Sequence, residues 1–352
     1  MKGKHIRSGL LFPVLTAFLI FSILYVVSIG TTPIDIKTVY RVMADQIFFS
    51  GAQTAAGAWD KSIYQIIWNI RLPRVLFGVC CGAGLSICGA AMQALVLNPV
   101  AEPYILGVSS GASAGAALAL LTPLPFFSGQ YRTTAFALLG ALLAFFCVYR
   151  MAKAGGGGKI QPVALLLSGT AVNAVMSAVT SFLIFMAKSP ESISAVYNWQ
   201  MGSLASAQWS SLRIPALGTA LGCIVFFCQS GNFNLIMIGD DDAAAMGLHV
   251  KRFRGMMFII CALIVASLVS VTGIIGFVGL MVPHMVRLLA GTSSNRIILP
   301  LSALFGASYL IWADAAARSL FGPAELPLGI ITAFVGAPFF FYLMIRKNRG
   351  GA

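Results

Sequence analysis

Residues 74–96 read RVLFGVCCGAGLSICGAAMQALV, a run whose only charged residue is Arg74, at its first position. About 20 consecutive apolar residues make an α-helix long enough to cross the hydrocarbon core of a bilayer. Gly78 and Gly82 lie four residues apart and share one helix face, which allows a neighbouring helix to approach closely. The stretch therefore predicts a membrane-spanning helix packed inside a bundle.

Apolar stretches of similar length recur along the whole chain. Of its 352 residues, 59% are hydrophobic and 9% are charged, and the mean hydropathy is +0.90, whereas soluble domains carry about 25% charged residues. The chain is predicted to be an all-α integral membrane protein in which residues 1–352 form one transmembrane domain. We predict ten spans, numbered in chain order, at residues 9–29, 74–96, 104–121, 133–151, 163–186, 212–229, 253–271, 274–290, 297–317 and 326–345.

The distribution of Lys and Arg predicts which side of the membrane each loop faces. The amino terminus carries Lys2, Lys4 and Arg7, and the carboxyl terminus carries Arg346 and Lys347. Short segments rich in Lys and Arg stay in the cytoplasm, and an even number of spans returns the chain to the side on which it began. We therefore expect both termini to be cytoplasmic.

The long loop 30–73 is then external. Its apolar residues recur at helical spacing, which predicts an amphipathic helix on the membrane surface. These residues are Ile36, Val39, Tyr40, Met43 and Ile47.

Charge and cysteine content argue against nucleic-acid and metal-binding functions. The net charge is +13, but the basic residues cluster at span ends and form no stripe interleaved with aromatic residues, so no nucleic-acid partner is expected. The seven cysteines lie in apolar segments and show neither a Cys-x-x-Cys pair nor metal-ligand spacing. We expect them to pack as small buried residues and to hold no metal.

The spans lack the groups that would power transport. A carrier driven by protons or sodium usually has an ionisable side chain near mid-membrane, but Asp314 lies four residues before Arg318, a spacing that favours an ion pair. The run Gly155–Gly158 lacks the spacing of a phosphate-binding loop. No catalytic set is visible, so we expect a passive membrane scaffold rather than an enzyme. An ion-coupled secondary transporter and a membrane enzyme are the alternatives.

A short acidic segment in the cytoplasmic loop 231–252 is predicted to be a docking helix for a partner. Acids favour the positive end of the helix dipole, a glycine can end the helix, and the apolar residues near that end suit a groove on another protein. The segment comprises Asp240, Asp241, Asp242, Ala245, Met246, Gly247 and Leu248.

Seven motifs, in order along residues 71–340, carry a family resemblance. They are RLPR at 71–74, GAAMQ at 89–93, NPVAEP at 98–103, LGVSSGA at 106–112, GFVGLMVPH at 276–284, ELPLG at 325–329 and GAPFF at 336–340. Together with the acidic loop they closely resemble the FecCD-type permeases of bacterial ABC importers, which serve iron–siderophore, haem and cobalamin uptake. The resemblance implies a type II ABC importer permease fold in the bacterial inner membrane.

The same resemblance implies the partners of the chain. They are a cytoplasmic dimer of ATP-binding subunits, an extracytoplasmic substrate-binding protein, a second permease copy or paralogue, and the lipid bilayer. ATP and Mg are expected in the ATPase, and this chain is expected to bind no cofactor of its own. An iron–siderophore is the expected cargo because it is the commonest in the family, with haem and cobalamin as alternatives.

Residue roles also follow from the resemblance. Three arginines at outer helix ends are expected to dock the binding protein through exposed guanidiniums: Arg71, Arg74 and Arg318. On the inner side, Asp240–Leu248 is expected to be the ATPase-coupling helix, and Asn98 and Val100 are expected to belong to the inner gate. Span 5 is expected to line the path with Asn173, Ser177 and Ser181. The polar stripe on span 5 fits hydrogen bonding between helices equally well. The four-glycine run between spans 4 and 5 departs from the family pattern, so the second gate position expected there is not assigned.

Overall fold

The computed structural model describes residues 2–30, 32, 34–48, 59–122, 131–157, 160–321 and 324–349, and all regular structure within them is helical. Ten apolar helices correspond one to one with the ten predicted spans. In order they are Lys2–Ser28, Leu72–Val96, Val108–Leu121, Arg132–Gly155, Pro162–Phe185, Trp209–Cys228, Val250–Thr272, Val278–Ala290, Asn295–Ser319 and Leu328–Arg349. The predicted all-helical membrane fold is confirmed.

Seven of these helices are long and apolar enough to cross a membrane, and spans 3, 8 and 10 have shorter apolar segments. Span 3 has 14 residues, which rise about 21 Å, less than the hydrocarbon core of about 30 Å. Gly107 and Phe277 precede spans 3 and 8 with φ of +78° and +68°, which breaks the helix at each point. The predicted starts of these spans, at residues 104 and 274, are therefore wrong.

Span 2 forms the centre of the bundle. It is buried along nearly its whole length and packs against spans 6, 7, 8 and 9. A Cβ atom on Gly82 would overlap the backbone of Gly306, and one on Gly89 would overlap the backbone of Gly279. Close packing through small residues is thus confirmed, and it brings the backbone of span 2 against those of spans 8 and 9.

The external loop contains the predicted helix, at Ile36–Phe48. Its residues Val39 and Met43 are buried against the ends of spans 1 and 2, whereas Ile47 is 58% exposed. The prediction of a helix is confirmed. Two of its five apolar stripe residues, Val39 and Met43, pack on the protein, whereas Ile36, Tyr40 and Ile47 remain 48%, 38% and 58% exposed.

The cysteines only partly follow expectation. All seven are free thiols, and Cys81, Cys88 and Cys261 are buried among the helices. Cys228 is exposed at the end of span 6, so the expectation that all seven are buried is wrong there.

Candidate translocation path and partner-docking surfaces

A polar cavity of about 440 Å³ lies between spans 3 and 5. Ser110 Oγ donates a hydrogen bond to Asn173 Oδ1 at 2.6 Å, while Ser177 and Ser181 are exposed along its wall. The polar stripe of span 5 therefore has two uses, since Asn173 bonds across helices and the two serines face the cavity. The serines that span 3 contributes to the lining are Ser109, Ser110 and Ser113.

An interrupted helix closes part of this cavity. Spans 7 and 8 are separated by the non-helical segment 273–277, and Ile274 lines the cavity beside Tyr197 and Gln200. Tyr104 Oη donates to the carbonyl of Ile275 at 2.9 Å, which satisfies part of the freed backbone. Such breaks at membrane depth occur in transporters where the backbone lines a cavity.

The cavity offers only weak interactions to a solute. Its described lining consists of serines, a threonine, amides, a tyrosine and isoleucines, with no charged side chain among them. Hydrogen bonds between neutral groups contribute about 0.5–1.5 kcal/mol each. The arrangement suits passage of a polar solute better than tight retention.

Asn98 and Val100 do not belong to this cavity. They lie in the turn after span 2, where the Asn98 side chain accepts a hydrogen bond from the Val100 N–H at 3.0 Å. Val100 is 45% exposed. The turn is accessible, as an inner gate requires, but the structure does not bring it together with the serines.

The acidic segment forms a short helix, Asp240–Ala245, with all three aspartates in its first turn. Gly247 adopts φ +88°, and the N–H groups of Gly247 and Leu248 bond to the carbonyls of Ala244 and Ala243, which is the Schellman arrangement. The predicted start and the stop at Gly247 are confirmed.

Side chains of this helix divide into anchoring and exposed groups. Asp240 accepts two hydrogen bonds from Arg254, at 2.6 and 2.9 Å, and Arg254 Nε also donates to the carbonyl of Leu95 at 2.9 Å. These bonds tie the helix to spans 7 and 2. Met246 is 65% exposed and available to a partner, whereas Leu248 is half-buried.

The outer arginines are buried rather than exposed. Arg71 is 4%, Arg74 7% and Arg318 4% exposed, so the expectation of exposed guanidiniums is wrong. Arg74 and Arg318 are buried because both pair with Asp314 between spans 2 and 9, whereas Arg71 is buried against carbonyls at the end of span 1. Whether these residues meet a binding protein stays a prediction.

Asp314 is the centre of a buried ion cluster. Arg74 donates to both its oxygens, at 2.9 to 3.1 Å, and Arg318 Nε lies 3.1 Å from Asp314 Oδ2. The predicted Asp314–Arg318 pair is confirmed, with Arg74 as an added partner. Arg74 Nη1 also binds Glu325 at 2.9 Å, and that carboxylate side chain is 36% exposed. Glu325 is thus the solvent-facing member of the cluster.

Two of the arginines also hold the end of span 1. Arg71 Nη1 donates to the carbonyl of Ser28 at 3.1 Å, and Arg318 Nη1 donates to that of Ile29 at 2.9 Å. Cations stabilise the carbonyl end of a helix. A Cβ atom on Gly30 would lie 2.5 Å from Arg71 Nη2, so this turn accepts Arg71 because residue 30 is glycine.

Sequence reasoning missed several site residues. Ser109, Ser110 and Ser113 lie within the LGVSSGA motif and beside it, but none of them was assigned a role. Arg254 and Glu325 gave no local signal, since their partners are distant in sequence. Among the described residues no group of three or more His, Cys, Asp or Glu side chains forms a metal-binding cluster.

Comparison with known proteins gives consistent matches. Residues 18–346 match the model of the FecCD transport family. The cobalamin import system permease protein BtuC of Halobacterium salinarum is 41% identical, covering 79% of this chain and 73% of that protein. The Fe(3+)-citrate import system permease protein YfmD of Bacillus subtilis is 40% identical, covering 83% of this chain and 84% of that protein.

A solved structure shares the same fold. It is described as an inward-facing conformation of a metal-chelate type ABC transporter, and it superposes with a TM-score of 0.80 at 29% identity. The match covers 96% of this chain and 99% of the solved one. The agreement therefore extends over nearly the whole chain.

Proposed function

We infer, from the premise that this chain belongs to the FecCD transport family, that it is an ABC importer permease whose cargo is an iron chelate. Partner subunits supply the ATP hydrolysis, and this multi-pass chain supplies half of the path. An iron–siderophore is the cargo we favour on the family resemblance. Haem and cobalamin are the alternatives of the same kind, and two of the relatives named above are import permeases for cobalamin and Fe(3+)-citrate.

The uncharged cavity between spans 3 and 5 is the observation that carries this proposal. A carrier driven by protons or sodium usually has an ionisable side chain near mid-membrane, and the described lining has none. A wall of serines and amides would bind a solute only weakly, which suits a solute that a binding protein delivers and that is then released inward. The force must then come from another subunit.

The geometry supports a route for that force. The helix Asp240–Ala245 is joined through the Asp240–Arg254 pair to span 7, and span 7 has 23 residues, a rod of about 35 Å. Its far end continues into Ile274 at the cavity. Movement of the docked helix is thereby transmitted to the cavity as a tilt of one rigid element, in an alternating-access cycle.

Docking of a binding protein on the outer face involves the ion cluster only indirectly. The guanidinium of Arg74 is shared by Asp314 and Glu325, so a carboxylate of the partner reaches it when Glu325 moves aside.

Reconstitution with the ATPase and the substrate-binding protein tests the function. We expect ATP hydrolysis to rise several-fold when the binding protein carries a ferric siderophore, and uptake to persist after the proton and sodium gradients are collapsed. Uptake without ATP that stops with the gradient would instead identify a secondary transporter. Turnover of a solute by the purified chain alone would identify an enzyme.

Narrowing the cavity tests the path. Ser177→Trp places an indole in the 440 Å³ cavity and is expected to reduce uptake at least tenfold while ATPase binding is retained. The matched control is Val175→Trp, two residues away on the same helix at a side chain that is 58% exposed and outside the described lining. Equal uptake by the two variants would place the path elsewhere.

A further inference from the structure

A second cavity, an open groove of about 930 Å³, lies between spans 4 and 7 at the cytoplasmic end of the bundle. It is separate from the serine-lined cavity and shares none of its described lining residues. Part of its wall is Gly247 and Leu248, the end of the coupling segment. The proposed transport cycle involves only Gly247 and Leu248 at its edge and gives the rest of the groove no role.

The rim of the groove is basic. Lys153 from span 4 and Lys251 and Arg252 from span 7 line it, and all three are exposed. Within the described residues no acidic side chain pairs with any of them, and none of the described lining residues is acidic. Three unpaired cations around one concave surface make a site for an anion.

The floor of the groove is apolar and lies deeper in the membrane. Met256 and Ile259 line it and remain 45% and 41% exposed. From Lys251 to Ile259 the helix rises about 12 Å, which is the distance from a headgroup phosphate into the first part of the acyl chains. Leu263, 51% exposed one turn further on, continues the same apolar surface.

This pairing of charges and apolar surface matches one kind of occupant. The cytoplasmic leaflet carries anionic lipids, and basic pockets between spans on that side hold their headgroups. A soluble partner would account for the cations but not for an apolar floor that extends into the membrane. A free anion would leave the floor empty.

We propose that this groove binds an anionic glycerophospholipid. Its phosphate lies among Lys153, Lys251 and Arg252, and one acyl chain lies along Met256 and Ile259. Because the groove borders Gly247, the bound lipid contacts the end of the coupling segment and holds it in place.

Native mass spectrometry of the purified complex with added phosphatidylglycerol tests this proposal. Each basic residue near an anionic lipid contributes a factor of about five in affinity, so the triple variant Lys153→Gln, Lys251→Gln, Arg252→Gln is expected to bind about a hundredfold more weakly. The single variant Arg252→Gln, with an expected loss of about fivefold, serves if the triple variant does not fold. The matched control is Arg296→Gln, an exposed arginine outside this groove's lining, with no change expected.

Other outcomes would overturn the proposal. Equal retention of phosphatidylglycerol by the triple variant and the control would do so. Displacement of the lipid by millimolar inorganic phosphate would identify a simple anion site. If the triple variant lost the ATPase subunit from the complex but still bound the lipid, a partner protein rather than a lipid would fill the groove. These outcomes concern only the groove, so they leave the transport function to its own test.

Discussion

Replacing Asp314 by Asn is expected to leave little stably folded protein. The carboxylate is 2% exposed and neutralises two guanidiniums, those of Arg74 and Arg318, that are themselves 8% and 4% exposed at their side chains. Removing one partner of a buried ion pair costs about 3–5 kcal/mol because the opposite charge stays buried. Thermal unfolding of the purified protein in detergent measures the effect, and we expect a lower midpoint and a low yield.

Glu325→Gln is the matched control for that experiment. It removes a carboxylate from the same Arg74 guanidinium, but its side chain is 36% exposed, and exposed pairs contribute about 0.2–1 kcal/mol. A small shift for Glu325→Gln with a large one for Asp314→Asn would confirm that burial sets the difference. Equal midpoints for both variants and the unsubstituted protein would contradict a structural role for the cluster.

The number and type of helices could be predicted because an apolar run of about 20 residues has the length and composition of a membrane-spanning helix. The coupling segment was also predictable, since its signals are local: acids at the start and Gly247 at the stop. The starts of spans 3 and 8 were not, because Phe277 is a non-glycine residue at φ +68°, a conformation that surrounding packing imposes. Tyr104 and Glu102 hold that segment by bonds to Ile275 and Phe277.

Burial of the outer arginines was unpredictable for a related reason. The Arg74–Asp314 bond joins residues that are 240 positions apart, and the motif around Arg74 gives no sign of its partner. A π-helical segment, Gln65–Arg71, leads into span 2 and determines where Arg71 points. Neither feature has a sequence pattern of its own, whereas the serines of span 5 follow helical spacing and lie on the cavity wall; their role in a path stays a prediction.

The two ends of the bundle differ in how firmly they hold their charges. At the outer end the guanidiniums are buried and shared among carboxylates and the carbonyls of span 1, which favours a rigid platform. At the inner end Asp240 is paired with Arg254, while Asp241 and Asp242 are exposed beside it. A partner on the inner face therefore meets a helix that is anchored at Asp240 and Ala243 and presents exposed side chains elsewhere.

Met246→Asp is expected to abolish ATP-driven uptake without unfolding the chain. Met246 is 65% exposed at the carbonyl end of the helix, where a new carboxylate would lie unpaired in the partner's groove. Truncation or charging of a central apolar contact costs about 2–4 kcal/mol of binding, which corresponds to about 30- to 1000-fold weaker association. The measurements are affinity for the ATPase subunit and substrate uptake by the reconstituted complex.

Ser293→Asp adds the same charge to another inner loop, at a residue that is exposed and distant in sequence from the helix. We expect normal ATPase affinity and normal uptake for this control. Because Met246 contributes little to the packed interior, both variants should unfold at the same temperature as the unsubstituted protein. Uptake by Met246→Asp equal to that of Ser293→Asp would mean that force enters the chain elsewhere.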